Sequence, residues 1–250
     1  MSLVDNYISR LTIILLLKIG CDIVALRKGS IETKKRILSV CVRLFLEQGY
    51  HQTPISQIIK EAGVSASTFQ NIFRTKDGVL IELIEFMFSG QFGAARSIAG
   101  NTLPPVYTYA AETALQLVLT ELNENLRDVY LEAYTVQSTA EYIHQHTALE
   151  LYKIFGQYFP DYSQSDFYEM EIGTAGIMRG YMAEKCNIHF PLEKKLERFL
   201  SLTLLVYKVP EDEQREIIAY IKKIDIRKVA NEVMQKLFAA LEMHFDFTLT

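Results

Sequence analysis

The sequence predicts an all-α protein with a helix-turn-helix near its start, and three observations lead to this. Apolar residues recur three and four positions apart along most of the chain, which is the period of an amphipathic helix. The alternating apolar and polar pattern of half-buried strands is essentially absent. Glycine and proline, the residues that interrupt helices, number only 12 and 6 among 250 residues.

A tight turn at Gly63 joins two short helical patterns. The first has an apolar stripe made of Ile55, Ile58, Ile59 and Ala62. Thr53 is placed to cap its start, and Pro54 follows where a missing N–H costs nothing. Ser65 is a favourable N-cap for the second pattern. The residues that this second helix buries are Phe69, Ile72 and Phe73. Two crossed helices with a glycine turn form a helix-turn-helix.

The opposite side of the second helix carries small or hydrogen-bonding residues. They are Ala66, Ser67, Thr68, Gln70 and Asn71. A helix that lies against base edges in the major groove requires side chains of this kind. An ordinary helical hairpin is the alternative, since any all-α protein can contain one.

The flanking residues make this segment similar to the TetR family of bacterial transcription regulators. The residues in register with the family pattern are Phe45, Gly49, Tyr50, Thr53, Ile58, Ala62, Gly63, Val64, Ser65, Thr68, Phe69, Phe73 and Lys76. The resemblance implies a three-helix DNA-binding domain over residues 31–76. The DNA contacts that it implies are Thr53, Ser65, Ala66, Ser67, Thr68, Gln70, Asn71 and Lys76.

Four positions depart from the family pattern. Gln70 stands where the family usually has Tyr, and Ile72 where Tyr or His is frequent. Ser67 replaces the usual Gly of the recognition helix, and Ile59 replaces a small Ala. The base preference of relatives therefore does not transfer to this chain.

The net charge of −4 is unevenly distributed. Residues 33–76 hold seven basic and two acidic residues, and residues 77–250 hold fifteen basic and twenty-five acidic ones. A basic segment on an acidic body fits phosphate contact by one face only.

Residues 77–250 read as a helical body in which the resemblance implies effector binding and dimerisation. Tyrosine suits a ligand pocket because its ring is flat and apolar while its hydroxyl can donate a hydrogen bond. The residues expected to line the pocket are Phe92, Tyr107, Tyr130, Tyr134, Tyr152 and Phe155. The acidic body favours a neutral or cationic effector over an anionic one.

Three glycines lie within one predicted helix at 165–186: Gly173, Gly176 and Gly180. Each costs about 1 kcal/mol of helix stability relative to Ala, which indicates that another helix approaches closely. The neighbour can belong to the same subunit or to a partner. TetR relatives dimerise through two late helices of each chain, which would here be 165–186 and 191–207.

Residues 1–30 carry a long apolar stripe that is interrupted at Lys18, so the run is shorter than the ~20 residues of a membrane span. It reads as an extra helix or as a misassigned start, with membrane contact as a third reading, and residues 27–32 read as a short hinge. The three cysteines Cys21, Cys41 and Cys186 are odd in number and widely spaced, which fits reduced thiols.

The expected function is that of a cytoplasmic homodimeric repressor that a small-molecule effector releases from a palindromic operator in double-stranded DNA. The alternative is an effector-independent DNA-binding protein that acts in chromosome organisation or through a protein partner. No residue pattern predicts a catalytic centre, a cofactor or a metal site, and no membrane association is expected.

Overall fold

The computed structural model describes residues 26–100 and 102–243, and within these ranges it contains eleven α-helices, one 3-10 turn and no β-strand. The predicted all-α class is confirmed. The first six helices are α1 (Leu26–Gln48), α2 (Ile55–Ala62), α3 (Ala66–Phe73), α4 (Lys76–Ala99), α5 (Pro105–Leu122) and α6 (Glu124–Ala133). The others are α7 (Gln137–Phe155), α8 (Gln164–Ala183), α9 (Leu192–Val206), α10 (Glu211–Ile221) and α11 (Ile226–Ala240), and the 3-10 turn is Gly156–Tyr158. The apolar stripe of residues 1–25, with Cys21, lies outside the described residues.

The predicted hinge at residues 27–32 is wrong, because α1 already covers this stretch. No proline interrupts it, and the Thr33 hydroxyl donates to the carbonyl of Gly29 at 2.7 Å, one helical turn earlier. A helix-interior glycine costs about 1 kcal/mol relative to Ala, which weakens a helix without ending it.

The turn between α2 and α3 forms as the sequence predicts. Gly63 adopts the left-handed conformation with φ 61° and ends α2, and the N–H of Val64 returns to the Ile59 carbonyl at 3.2 Å. Ser65 caps α3 by accepting a hydrogen bond from the Thr68 N–H at 3.1 Å. Thr53 does not cap α2, since Pro54 occupies the cap position.

The body is built around α5, which packs against α4 and against every helix from α6 to α11. All of its residues except Pro105, Thr108 and Glu121 are buried. A helix that is buried on every side lies at the centre of its domain. The other helices surround it and place their polar faces towards solvent.

Helix α4 starts directly behind the recognition helix α3 and runs into the body. Its length and composition alone would allow it to cross a membrane, and it is the one described helix of which this holds. It packs against α5, α7 and α11, and 33% of its most apolar stretch is buried within the described part of the chain.

The passage from α3 to α4 is tight at Gly78. A Cβ atom built on Gly78 would lie 2.0 Å from the carbonyl oxygen of Phe73, the last residue of α3. Thr75 caps α4 by accepting a hydrogen bond from the Gly78 N–H at 3.1 Å. This close approach fixes the distance between the end of α3 and the start of α4.

We expect Gly78→Ala to destabilise the protein by about 2 kcal/mol or more, because the new methyl group must displace backbone. Gly90→Ala in the same helix is the matched control, since nothing lies within 4 Å of a Cβ there. It should stabilise the protein by about 0.5–1 kcal/mol. Urea unfolding of both variants measures the two free energies. Equal effects of the two substitutions would contradict the close approach at Gly78.

Candidate nucleic-acid interface and body cavity

Helix α3 presents the outward face that the sequence predicts. The exposed residues of this face are Ser65, Ala66, Ser67, Gln70 and Asn71, and Thr68 is half-buried. The Ser65 hydroxyl lies 2.9 Å from that of Ser67 and 2.8 Å from that of Thr68. Among the described residues, nothing hydrogen-bonds the side-chain amides of Gln70 and Asn71. These two amides can therefore form hydrogen bonds with an external partner.

Four residues form a clasp between the loop after α1 and the start of α4: Tyr50, Thr53, Lys76 and Asp77. The Lys76 ammonium donates to the backbone carbonyls of Tyr50 at 2.5 Å and of Thr53 at 2.9 Å. It also lies 4.0 Å from the centre of the Tyr50 ring, a cation–π distance. The Tyr50 hydroxyl donates to the Asp77 carboxylate at 2.9 Å.

The clasp corrects the role expected of Thr53, whereas the DNA contact expected of Lys76 stays a prediction. The Thr53 side chain is fully buried and donates to the Gly49 carbonyl at 2.7 Å, so it cannot reach DNA in this conformation. Burial lowers the pKa of the Lys76 ammonium, whose hydrogen bonds go to the protein backbone. Both residues join the loop after α1 to the start of α4.

Several of the basic residues in the DNA-binding segment are neutralised within the protein. Lys34 pairs with Glu82 at 2.6 Å, Lys35 pairs with Glu242, and Arg43 pairs with Glu47 and Glu61. The basic residues that are exposed, with no ion pair among the described residues, are Arg36, Lys60 and Arg74. Sequence reasoning did not single them out, although Lys60 has no acidic residue three or four positions away.

A cavity lies between α4, α5, α7, α8 and α9 in the body. Its walls contain Phe92, Tyr109, Glu112, Thr113, Gln116, Tyr134, Thr147, Glu150, Leu151, Ile154, Glu171, Thr174, Ala175, Met178 and Phe199. The volume open to water-sized spheres is about 30 Å³. One water needs roughly 10–15 Å³ on this measure, so the cavity in this conformation holds about two waters.

Only some of the predicted pocket residues line this cavity. Phe92 and Tyr134 do, and Tyr134 also borders a smaller apolar cavity of about 20 Å³ together with Tyr130. The other three predicted residues face elsewhere, because aromatic neighbours hold their rings. Tyr107 packs edge-on against Tyr220, and Tyr152 packs against Phe167 with 42% of its surface exposed. Phe155 stacks on Tyr207 with ring centres 4.2 Å apart.

Two buried carboxyl groups face the cavity, and sequence reasoning missed both. The Gln116 amide donates to Glu112 at 2.5 Å, and the Thr174 hydroxyl lies 2.8 Å from a Glu171 oxygen. Burial raises the pKa of Glu112 to about 7 and that of Glu171 to about 8. A signal existed for Glu112, which is the one charged residue between Pro105 and Thr120. Glu171 comes two residues after the exposed Glu169 and offered no such signal.

Helices α8 and α9 each expose glycines or apolar side chains. Gly173, Gly176 and Gly180 are exposed, and nothing in the described part of the chain lies within 4 Å of a Cβ built on any of them. The reading that a helix of the same subunit approaches these glycines is therefore wrong for the described residues. The large apolar side chains that these two helices expose are Ile172 on α8 and Leu202, Leu205 and Val206 on α9, of which Leu205 is 65% exposed.

The N-terminal geometry agrees with a family match. Residues 37–83 match the family model of the bacterial regulatory proteins of the tetR family. The matched span contains α2, α3, the clasp and the first part of α4. Over this segment the chain is similar to the TetR family of helix-turn-helix proteins.

Similar curated proteins each match a part of the chain. The fatty acid metabolism regulator protein of Bacillus subtilis (strain 168) is 39% identical over 57 residues, which is 23% of this chain and 29% of that protein. The HTH-type transcriptional regulator HbdR of Aromatoleum sp. (strain CIB) is 36% identical over 74 residues, which is 29% of this chain and 32% of that protein. The uncharacterized HTH-type regulator YuxN of Bacillus subtilis is 27% identical over 95 residues, 38% of this chain. The matches thus span about a third of each relative's length.

A structural match extends over more of the chain at low similarity. The crystal structure of a gamma-butyrolactone receptor, an ArpA-like protein, aligns with a TM-score of 0.42 at 14% identity. The alignment covers 82% of this chain and 99% of that structure.

The two buried carboxyl groups predict an unusual pH dependence of stability. Their pKa values lie above the ordinary 4.5, so the folded state binds more protons than the unfolded state between about pH 5 and pH 8. Their contribution to stability is full below the ordinary pKa and decreases as the pH rises. The slope is at most roughly 1.4 kcal/mol per pH unit for each group.

We therefore expect Glu112→Gln and Glu171→Gln to stabilise the protein relative to wild type at pH 8 more than at pH 5. Urea unfolding across this range measures the difference. Glu169→Gln is the control, because Glu169 is an exposed glutamate on the same helix as Glu171. A constant difference between wild type and the two variants would contradict protonation of the buried carboxyl groups.

Proposed function

We propose that this chain is a homodimeric transcription repressor of the TetR type that acts in the cytoplasm. It binds a palindromic operator in double-stranded DNA and leaves it when a small molecule enters the body cavity. The observation that carries the proposal is the exposed hydrogen-bonding face of α3. The clasp fixes the loop after α1 to the start of α4, which follows α3 directly. The family match over residues 37–83 supports the same conclusion.

The polar residues of α3 divide into two roles at the operator. Gln70 and Asn71 read base edges, because an exposed amide offers a donor and an acceptor together. Ser65, Ser67 and Thr68, with the N-terminus of α3, position the helix against the backbone. Arg36, Lys60 and Arg74 are exposed cations without an ion pair in the described ranges, so they supply phosphate contacts.

Dimerisation uses the exposed face of α8 and α9. Exposed glycines on α8 allow a partner helix to approach closely, and exposed leucines on α9 provide apolar area for burial. A two-fold pair of chains places two recognition helices on one side, as binding to two successive major grooves requires.

Helix α6 is the element through which an effector acts on the DNA-binding helices. Asn125 donates to the backbone carbonyl of Leu46 in α1 at 2.8 Å, and Glu132 lies 3.1 Å from His51. At the other side, Tyr130 bonds to Gln91 in α4, and Tyr134 donates to Gln116 in α5 at 2.9 Å. A ligand that moves Tyr134 therefore moves a helix that contacts α1, which changes the distance between the two recognition helices.

The effector-independent alternative has one observation in its favour. The cavity of about 30 Å³ is too small for an organic molecule in this conformation. It accepts one only if side chains move, and a chain that never opens would act without an effector. The partly exposed Phe92, Tyr134, Thr147 and Glu150 border the cavity, which supports opening at this side.

The roles of the exposed residues at the operator can be separated by substitution. Lys60→Ala and Arg74→Ala should weaken binding to all DNA sequences about equally and reduce the salt slope by about one each. Gln70→Ala and Asn71→Ala should cost about 1–3 kcal/mol at particular base pairs and change the sequence preference.

Gel-shift titrations on selected operators at several salt concentrations measure these effects. Lys236→Ala on α11 is the charge-matched control, since it removes an exposed lysine of the body. If all four variants retain wild-type affinity and preference, α3 does not read the operator.

The dimer proposal predicts that Leu205→Glu yields a folded monomer with greatly reduced operator affinity, because it places a charge in an apolar interface. Gly176→Leu should act in the same direction by separating the backbones. Leu149→Glu on α7 is the control, because Leu149 is also exposed but lies outside the α8–α9 face. Analytical ultracentrifugation with circular dichroism distinguishes a monomer from an unfolded chain. An intact dimer in both interface variants would place the interface elsewhere.

A further inference from the structure

The ionisable residues that line the body cavity are all acidic or phenolic. Its acidic residues are Glu112, Glu150 and Glu171, and none of its lining residues is a lysine, an arginine or a histidine. We propose that this cavity binds an organic ammonium ion, with the charge between Glu112 and Glu171. The inference rests on the proposed effector function and specifies the chemical class of the effector.

The partners of the two carboxyl groups are all uncharged. Glu112 receives a hydrogen bond from the Gln116 amide, and Glu171 contacts the hydroxyl of Thr174, which itself lies 2.8 Å from the Tyr207 hydroxyl. A buried carboxylate without a cation is costly, so each group keeps a proton more tightly than usual. An ammonium ion between them supplies the missing positive charge and allows them to ionise.

The cavity wall also suits the apolar part of such a ligand. The rings of Phe92, Tyr109, Tyr134 and Phe199 line it, with Met178 and Ile154. The negative face of an aromatic ring attracts an ammonium group, which adds to the attraction of the carboxylates. An anionic ligand would meet the same carboxyl groups and no compensating cation.

An independent observation comes from the adjoining apolar cavity. Gln91 is fully buried there, its amide nitrogen bonds to the Tyr130 hydroxyl, and its carbonyl oxygen has no hydrogen-bond partner. A buried acceptor without a donor is uncommon and costs about 1–3 kcal/mol. Tyr134 lines both cavities. If its ring moves, one elongated ligand can extend from the carboxyl groups to Gln91 and donate a hydrogen bond to it.

The donor set argues against a metal ion as the occupant. Within the described ranges, no group of three or more His, Cys, Asp or Glu side chains could hold a metal. Two carboxyl groups with an amide, hydroxyls and aromatic rings match an organic cation better than a divalent ion.

The proposal fixes how affinity changes with pH. The titratable groups that face Glu112 and Glu171 are Glu150 of α7, Tyr109 of α5, Tyr130 of α6, Tyr134 after α6 and Tyr207 after α9. Burial raises the pKa values of all four tyrosines, so they remain neutral at neutral pH. A cation that binds the ionised carboxylates releases protons, and its affinity should increase by up to about tenfold per pH unit for each proton released.

The test uses the full-length chain and a matched series of probes at pH 6, 7 and 8. Phenethylammonium is compared with phenethyl alcohol, its neutral analogue, and with hydrocinnamate, an anion of similar size; choline is compared with its neutral carbon isostere. Calorimetric titration and thermal shift measure binding, and a gel shift with a selected operator measures release.

We expect each cation to bind at least about tenfold more tightly than its neutral analogue, and more tightly at pH 8 than at pH 6. Glu112→Gln and Glu171→Gln should each remove most of this preference and leave the alcohol affinity within about twofold. Glu169→Gln, an exposed glutamate on α8, should change neither affinity.

Three outcomes would overturn the proposal, and they differ in what else they affect. Tighter binding of the alcohol or of hydrocinnamate, with operator release, excludes a cation but retains effector control. Unchanged cation binding in both Gln variants places the cation elsewhere. No shift with any probe, while the operator stays bound, excludes the cation and supports the effector-independent alternative.

Discussion

The burial of α5 on every side is the constraint on which the body depends. A helix at the centre of a domain must be apolar all round or must satisfy its polar groups internally. In α5 the buried polar side chains are Glu112, Thr113, Gln116 and Thr120. Both threonine hydroxyls return to backbone carbonyls of the same helix, whereas Gln116 connects Glu112 to Tyr134 of α6. The polar centre of the body is thus directly joined to the helix that contacts α1.

Two ion-pair and hydrogen-bond systems hold the DNA-binding helices relative to this centre. The clasp fixes the start of α4 through Lys76, and Glu121 at the end of α5 binds both Arg127 of α6 at 2.9 Å and Lys195 of α9 at 2.6 Å. The second system links α6 to α9, one of the two helices of the proposed dimer face. A displacement of α6 therefore changes its contacts with α1 and with the proposed dimer face together. A ligand that binds one position of α6 more tightly than another then shifts both sets of contacts.

The sequence predicted well those features that depend on neighbouring residues. It predicted poorly those that depend on contacts between residues far apart in the chain. Ser65 and Gly63 were predictable because a cap and a left-handed turn depend on a few neighbouring residues. The family resemblance assigned Thr53 and Lys76 to DNA. No residue pattern reveals that both side chains bond to backbone carbonyls within the protein. Phe155 was assigned to the pocket as an aromatic residue of the body. Helical spacing does not show that Tyr207, more than fifty residues away, stacks on its ring. The buried position of Cys41, by contrast, followed from its helical face.

The proposed ammonium site offers a physical reason for the small size of the cavity. Without a cation, Glu112 and Glu171 are best tolerated when protonated and surrounded closely by neutral donors, which favours a contracted wall. An occupant that brings positive charge removes the cost of ionisation and favours an expanded wall. The occupant binds the expanded wall more tightly than the contracted one. It shifts the population towards the expanded wall only by this difference in affinity. Because Gln116 hydrogen-bonds both Glu112 and Tyr134, the proposed expansion would also displace Tyr134 at the end of α6.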